Sequence, residues 1–391
     1  MGVVSVAVGL RLADVLAVDA GRYLAGRRVC SAAVRAYEAI LQCRTAVLGG
    51  HVERCEQGHL VGVFYNGCRH RCCPRCGWGL GRRWLERRTL TLLGCGHHHV
   101  ILTLPHMFNE LWSCNYKLFA RILFRSAREA ITQLAADARY LGAEPGMIAA
   151  LHTWGQQLGL HVHLHCLVTA GGVSAGGEWV ASRRKWFLPA TPLVQLFSGK
   201  VIYALRGVAR SGELRLPDGW TVKDVERLCD RAKAERWNLD VRERYEDPTH
   251  VLNYLGRYLN GGPMNESRLL SVSEEEVEFS YKDYRDTNAA GVARRKTRTM
   301  PRGEFVRRLM QHVPPKGFHM VRGYGVYAGQ VSDELRRKLR EALPLSTEIR
   351  IVLRPRWPQP DAIDPKPQVC PTCGSELHFV YYGRGAPELA A

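Results

Sequence analysis

The stretch Leu160–Thr169 reads LHVHLHCLVT, with histidines at 161, 163 and 165 and apolar residues between them. Successive side chains of a β-strand point to opposite sides. The pattern therefore predicts a strand that turns His161, His163 and His165 to one surface and Val162 and Leu164 toward a core. Three imidazoles together are costly to bury unpaired but make a ready divalent-metal site. Working outward, Met147–Thr153 reads as a second strand, and the short connection Gly155–Gly159 suits an antiparallel pair. Upstream lie a β-branched strand, His98–Leu104, ended by Pro105, and a long amphipathic helix over Asn109–Asp137. Downstream the pattern predicts a loop over Gly171–Gly177 and helices over 190–210, 221–237 and 250–260. A strand over Glu276–Tyr284, a basic loop Arg294–Arg302 and a helix Arg302–His312 follow. Strand, long helix, two paired strands and further helices give an α+β core, an antiparallel sheet with helices on one face.

The N-terminal part is organised differently. Leu12, Val15 and Leu16, then Val34, Tyr37, Ile40 and Leu41, recur at helical spacing and predict two short helices. Residues 43–78 are rich in cysteine and glycine and read as irregular, and Arg82–Leu93 reads as a helix with a basic face. Six of the chain's 13 cysteines fall between Cys43 and Cys76. An odd count crowded into one stretch of a long chain indicates metal binding in a reducing cytosol rather than a disulfide scaffold. Cys73-Pro-Arg-Cys76 is a C-x2-C knuckle whose thiolates can converge on one zinc. Cys55 and His59 are taken as the other half of a tetrahedral site, with Cys68 as a rival to His59 and Cys43 and His51 as further candidates. Arg69, Arg71, Arg75, Arg82 and Arg83, interleaved here, suit a zinc module that faces DNA phosphates. A second knuckle, Cys370-Pro-Thr-Cys373, lies in the proline-rich tail with no evident other half; His378, a distant partner or no metal at all are its open possibilities.

Tyr254-Leu-Gly-Arg-Tyr258 places two phenols at i and i+4 on one face of the expected helix, with Arg257 beside them. A phenol with an ordinary pKa near 10 needs help to act as a nucleophile, and a metal that polarises a phosphate supplies it.

Composition narrows the partners. The chain carries 55 Lys and Arg against 37 acids, a formal charge of +18 over 391 residues. Such an excess is normally shared with a polyanion, usually nucleic acid. No apolar run approaches the roughly 20 residues of a membrane span, and the N-terminus lacks a cleavable signal pattern. A cytoplasmic protein is expected.

Taken in order, several phrases identify a family. They are Cys43–His51 (CRTAVLGGH), Tyr65–Cys76 (YNGCRHRCCPRC), Leu102–His106 (LTLPH), Leu151–Gln156 (LHTWGQ) and His161–Val168 (HVHLHCLV). Tyr254–Tyr258 (YLGRY), Tyr281–Tyr284 (YKDY) and Pro315–Phe318 (PKGF) complete the series. The chain resembles transposases of the IS91 type, rolling-circle enzymes of the HUH (His-hydrophobic-His) class. The resemblance implies a zinc-binding, DNA-contacting domain over 43–95 followed by an HUH endonuclease core over 96–330; around them the chain divides into a helical segment over 1–42 and a basic C-terminal region with a CxxC knuckle over 331–391. It implies catalytic Mg²⁺ or Mn²⁺ on His163 and His165, with His161, Gln156 or a residue near the tyrosine helix as third ligand. Tyr254 and Tyr258 become the nucleophiles, forming a 5′-phosphotyrosine. Arg257, Arg294, Arg295, Lys296 and Arg298 join the zinc module in holding single-stranded or hairpin DNA ends. Two other readings accommodate the same motifs: an HUH replication initiator or relaxase, and a non-catalytic zinc-dependent DNA-binding regulator.

Overall fold

The computed structural model describes residues 9–19, 21–25, 29–182, 188–242, 244–246, 252, 256, 262–344 and 369–384. In chain order it begins with helices α1 (Leu12–Asp19) and α2 (Ser31–Leu41), strands β1 (Gly50–Cys55) and β2 (Leu60–Tyr65) and helix α3 (Pro74–Thr89). Next come β3 (His97–Thr103), α4 (Asn109–Cys114), α5 (Tyr116–Ala136), β4 (Glu144–Trp154), β5 (Leu160–Val173) and β6 (Trp179–Ala181). Helices α6 (Ala190–Arg210) and α7 (Val222–Ala234) lead to β7 (Leu239–Val241). The chain continues through β8 (Leu269–Val272), β9 (Glu276–Thr287), β10 (Ala293–Pro301) and α8 (Arg302–Met310). It closes with β11 (Val321–Tyr324), α9 (Asp333–Ala342) and β12 (Leu377–Tyr382).

The α+β expectation holds. The largest sheet runs β11-β4-β5-β3-β7, with β6 added to the end of β5, and every pairing in it is antiparallel. Val162, Leu164 and Cys166 on one face of β5 join a core built with Phe108, Phe119, Phe124 and Phe197 from the helical layer. Helix α5 supplies Phe119, Ile122, Leu123, Ala127, Ala130 and Ile131, the spacing of an inward stripe. The expected single helix over Asn109–Asp137 is broken at Asn115. Its buried side-chain amide donates back to Leu111 O of α4 (2.9 Å) and across to Arg215 O in the loop after α6 (2.7 Å), which holds the chain at the break. Three more segments differ from expectation. Residues 43–78, read as irregular, carry the antiparallel β1–β2 hairpin. Strand β5 continues through Gly171 and Gly172, which pair with β6, and the stretch read as a basic loop is strand β10, hydrogen-bonded along β9.

A second core joins distant parts of the sequence. Leu12, Val15 and Leu16 of α1 and Ala33, Ala36, Tyr37 and Ile40 of α2 pack with Val277, Phe279, Met300, Phe305 and Leu309. The buried Glu266 carboxylate links them: one oxygen accepts from Leu12 N (3.0 Å) and the other from Arg75 Nε (2.9 Å). The third sheet, β12-β1-β2, pairs a strand from the end of the described chain with the hairpin near its start.

Candidate metal and nucleic-acid sites

Strand register brings the histidines together. Strand β4 pairs with β5 so that His152 stands opposite His163 and Ala150 opposite His165. Residues directly opposite in an antiparallel pair share a face. One ligand nitrogen each from His152, His163 and His165 therefore lies within 4.8 Å of the others. Their Cβ-bearing strands sit in the middle of the sheet, and all three rings are buried, His152 to 2% and His165 to 1% exposure. His161, the third member of the alternating set, lies beside His163 (ring centroids 4.8 Å apart) but outside the trio, its Nδ1 3.0 Å from Nε2 of His106. Gln156 also turns away, its side-chain oxygen accepting from the Lys282 amide (3.3 Å).

Hydrogen bonds fix the rings. His163 Nδ1 donates to His161 O at 2.8 Å, which leaves Nε2 as the nitrogen with a lone pair. His165 Nδ1 lies 2.9 Å from Nε2 of His99, a buried β3 histidine. Burial pushes His163 down to about 3 and His99 to about 4, and it holds His152 and His165 well below their ordinary value. Three neutral imidazoles on one face, with a carbonyl and a further imidazole orienting two of them, are the donor chemistry of a divalent transition metal.

The four residues grouped as one zinc site in the sequence fall into two clusters. Cys73 and Cys76 meet Cys43 and Cys68, whereas Cys55 and His59 meet Cys370 and Cys373. The cause is the β1–β2 hairpin. Cys43 and Cys68 flank its open end, Cys55 and His59 form its turn, and six extended residues separate the two ends by on the order of 17 Å. Cys72 and His51 belong to neither cluster, and His51 instead stacks on Phe64 (centroids 5.2 Å apart).

In the first cluster Sγ atoms lie 3.6 Å (Cys43–Cys76), 3.7 Å (Cys68–Cys76) and 3.6 Å (Cys73–Cys43) apart. A tetrahedral ion with Zn–S bonds of 2.3 Å has edges of about 3.8 Å, so the four thiols fit zinc without rearrangement. Cys73 is the N-cap of α3 and Cys76 lies in its first turn, where the helix dipole favours thiolates. Neighbouring thiols from Cys68 and Cys73 draw Cys43 down to about 7. Arg69 follows Cys68 with φ of 55°, the left-handed turn that folds the chain back on its own sulfur, and the His70 amide points to Cys68 Sγ at 3.5 Å.

The arginines singled out by sequence play different parts. Arg69, Arg82 and Arg83 are exposed, although Arg82 is paired with Glu86 (3.0 Å). Arg75 is held by buried Glu266, and Arg71 donates to Phe318 O (3.0 Å). On β10, Arg294 pairs with Asp286 (3.2 Å), Lys296 with Asp283 (2.9 Å) and Asp286 (3.0 Å), Arg295 with Ser280 Oγ and Arg298 with Gln157. A cleft that sequence did not single out lies between α2, the knuckle and the 313–317 loop. Arg35, Arg69, His70, Arg71 and Lys316 line it, with no acidic residue among them. Tyr254, Arg257 and Tyr258 lie outside the described residues; of the same segment, Leu252 is buried in the main core and Gly256 abuts Leu85 of α3. No described helix is long and apolar enough to cross a membrane.

Comparison with known proteins finds two family models and two similar transposases. Residues 146–334 match a family model described as "Putative transposase", and residues 16–104 match one described as "Transposase zinc-binding domain". The chain is 37% identical over 323 residues to "Putative transposase y4qJ" of Sinorhizobium fredii, covering 80% of this chain and 78% of that one. It is 30% identical over 329 residues to the "Transposase for insertion sequence element IS801" of Pseudomonas savastanoi pv. phaseolicola, covering 79% and 73% respectively. No solved structure matches it.

Proposed function

The chain belongs to the IS91-type transposases, and on that premise we propose that it nicks and rejoins single-stranded DNA through a tyrosine nucleophile. The observation that carries the proposal is the convergence of His152, His163 and His165 on one face of the central β4–β5 pair.

In this reading the basic cleft at Arg35, Arg69, Arg71 and Lys316 takes backbone phosphates of an element end, which needs charge but no base readout. His152, His163 and His165 would hold Mg²⁺ or Mn²⁺. When bound, the ion supplies Lewis-acid stabilisation of charge developing on the scissile phosphate. An all-imidazole set favours Mn²⁺ over Mg²⁺, which prefers oxygen ligands. Tyr254 or Tyr258 attacks the phosphorus through its phenolic oxygen, and its proton passes to solvent. The bond from phosphorus to the 3′ oxygen breaks, leaving a 5′-phosphotyrosine and a free 3′-OH. The phosphotyrosine conserves the bond energy, so a 3′-OH attacking it rejoins DNA without ATP. Two tyrosines allow one strand to stay attached while a second is cut, as rolling-circle transfer requires. Cys43, Cys68, Cys73 and Cys76 hold a structural zinc that fixes the knuckle beside the cleft.

The test uses single-stranded oligonucleotides from the element's ends, labelled at either terminus and incubated with purified protein and Mn²⁺. A covalent adduct carrying the label downstream of the cut, located by mass spectrometry on Tyr254 or Tyr258 and absent from the double Tyr→Phe variant, is the expected result. Tight binding with no adduct would favour the DNA-binding regulator instead.

A further inference from the structure

We propose that Cys55, His59, Cys370 and Cys373 hold a second zinc ion, one that fastens the C-terminal segment onto the β1–β2 hairpin. The matched zinc-binding region ends at residue 104, so Cys370 and Cys373 lie far outside it.

The distances are those of a tetrahedron around one ion. Cys373 Sγ lies 3.6 Å from Cys55 Sγ, Cys55 Sγ lies 3.4 Å from His59 Nδ1, and Cys370 Sγ lies 3.8 Å from the same nitrogen. With Zn–S of 2.3 Å and Zn–N of 2.0–2.1 Å the edges come to about 3.8 Å between sulfurs and about 3.6 Å between sulfur and nitrogen. A disulfide would need sulfurs about 2.05 Å apart, and the cysteines here are free.

Both halves are built for the task. Cys55 and His59 close the hairpin turn, where Cys55 N donates to His59 O (3.2 Å), Gly58 N donates to Cys55 O (2.9 Å) and Gly58 takes a φ of 81°. Cys370 and Cys373 form a matching turn, with Gly374 N donating to Cys370 O (2.8 Å) and a φ of 75° at Gly374. From the second turn the chain runs directly into β12, whose first residue, Leu377, is registered opposite Cys55.

The energetics call for such a link. Strand β12 hydrogen-bonds along β1 in six register pairs but buries little: Phe379 is 54% exposed, Val380 43% and Tyr381 77%. Little apolar burial offsets the backbone entropy lost on ordering this strand. Metal binding supplies folding free energy directly where a small module lacks a core. The zinc also closes the chain, because its ligands are separated by more than 300 residues of sequence.

The experiment counts zinc in the full-length protein by plasma mass spectrometry and reads the difference between variants, so an ion on the histidine site does not enter. Cys370→Ala/Cys373→Ala should hold one zinc fewer than wild type. His59→Cys should keep the wild-type count and, after cobalt exchange, shift the visible cobalt bands as one nitrogen ligand becomes sulfur; because it preserves four ligands, it decides the matter if the double variant does not fold. An unchanged zinc count in the double variant, or an unchanged cobalt spectrum in His59→Cys, overturns the second site.

Discussion

His152 stands directly across the β4–β5 ladder from His163, their imidazole centroids 5.3 Å apart and their planes at 88°. That pairing makes His152, rather than His161, the partner of His163 and His165 in the proposed metal site. Replacing it should matter as much as replacing either of them. His152→Ala and His163→Ala should each lower Mn²⁺-dependent nicking on the order of 100-fold or more, since an open site cannot afford to lose one of three protein ligands. His161→Ala should leave most activity. Titrating nicking against Mn²⁺ for the three variants measures the ranking, and equal loss from His161→Ala and His152→Ala would reassign the third ligand.

His99 meets the site at His165, 2.9 Å away. It is a positioning residue, and such partners usually alter metal affinity about 10–100-fold. His99→Ala should therefore raise the Mn²⁺ concentration needed for half-maximal nicking while leaving the rate at saturating Mn²⁺ closer to wild type. A lower maximal rate with unchanged Mn²⁺ dependence would contradict this role.

Two arginines beside the first cysteine cluster should behave in opposite ways. Arg75 neutralises Glu266, whose side chain is 3% exposed, so Arg75→Ala strands a buried carboxylate and should cost about 3–5 kcal/mol of stability. Arg69 is exposed and lines the basic cleft. Arg69→Ala should leave stability nearly unchanged, weaken binding to all single strands alike and reduce the slope of log affinity against log salt by about 0.7. Urea unfolding and salt-dependent binding of both variants separate the two roles.

Acid should destabilise the fold through histidines buried in the neutral form. His312 is held at about 4 by burial, against an ordinary value of 6.5. Its Nε2 donates to Leu158 O (3.1 Å) and its Nδ1 accepts from the Thr153 hydroxyl (3.1 Å), the pattern of a neutral ring. Between those two values the unfolded chain binds the extra proton, so stability rises with pH there; it is fully present above 6.5 and declines as pH falls toward 4. Each such histidine contributes a slope of up to about 1.4 kcal/mol per pH unit. His312→Asn should flatten the pH dependence of unfolding below about pH 6.5 by up to that amount, and an unchanged slope would show that His312 does not titrate in this way.

What the sequence made legible was local. Period-two alternation marked β5 and the shared face of His161, His163 and His165, because Val162, Leu164 and Cys166 announce the opposite, core-facing side. His152 escaped notice because its place depends on register between two strands, which local periodicity does not state. The signal was nonetheless there: a hairpin connection centred near Gln157 and Leu158 sets 152 opposite 163. Strand β10 read as a loop because its side chains are almost all charged or polar, with only Met300 buried, and its order comes from pairing with β9. The residues proposed to hold zinc were legible as residue types, but nearness in sequence joined Cys55 and His59 to Cys73 and Cys76, which the fold places in separate clusters. Cys55 and Cys73 are held apart by a hairpin, while Cys55 and Cys373 are brought together by β12.

The most direct test of the central claim is the yield of covalent protein–DNA adduct on an end-derived single strand, measured against Mn²⁺ concentration for wild type and for His152→Ala/His163→Ala. The account predicts a wild-type adduct that rises with Mn²⁺ and vanishes with chelator, and no adduct from the double variant at any Mn²⁺ concentration although it still binds the strand. An adduct formed by the double variant at the wild-type yield would contradict it, because the tyrosine chemistry would then proceed without the histidine site.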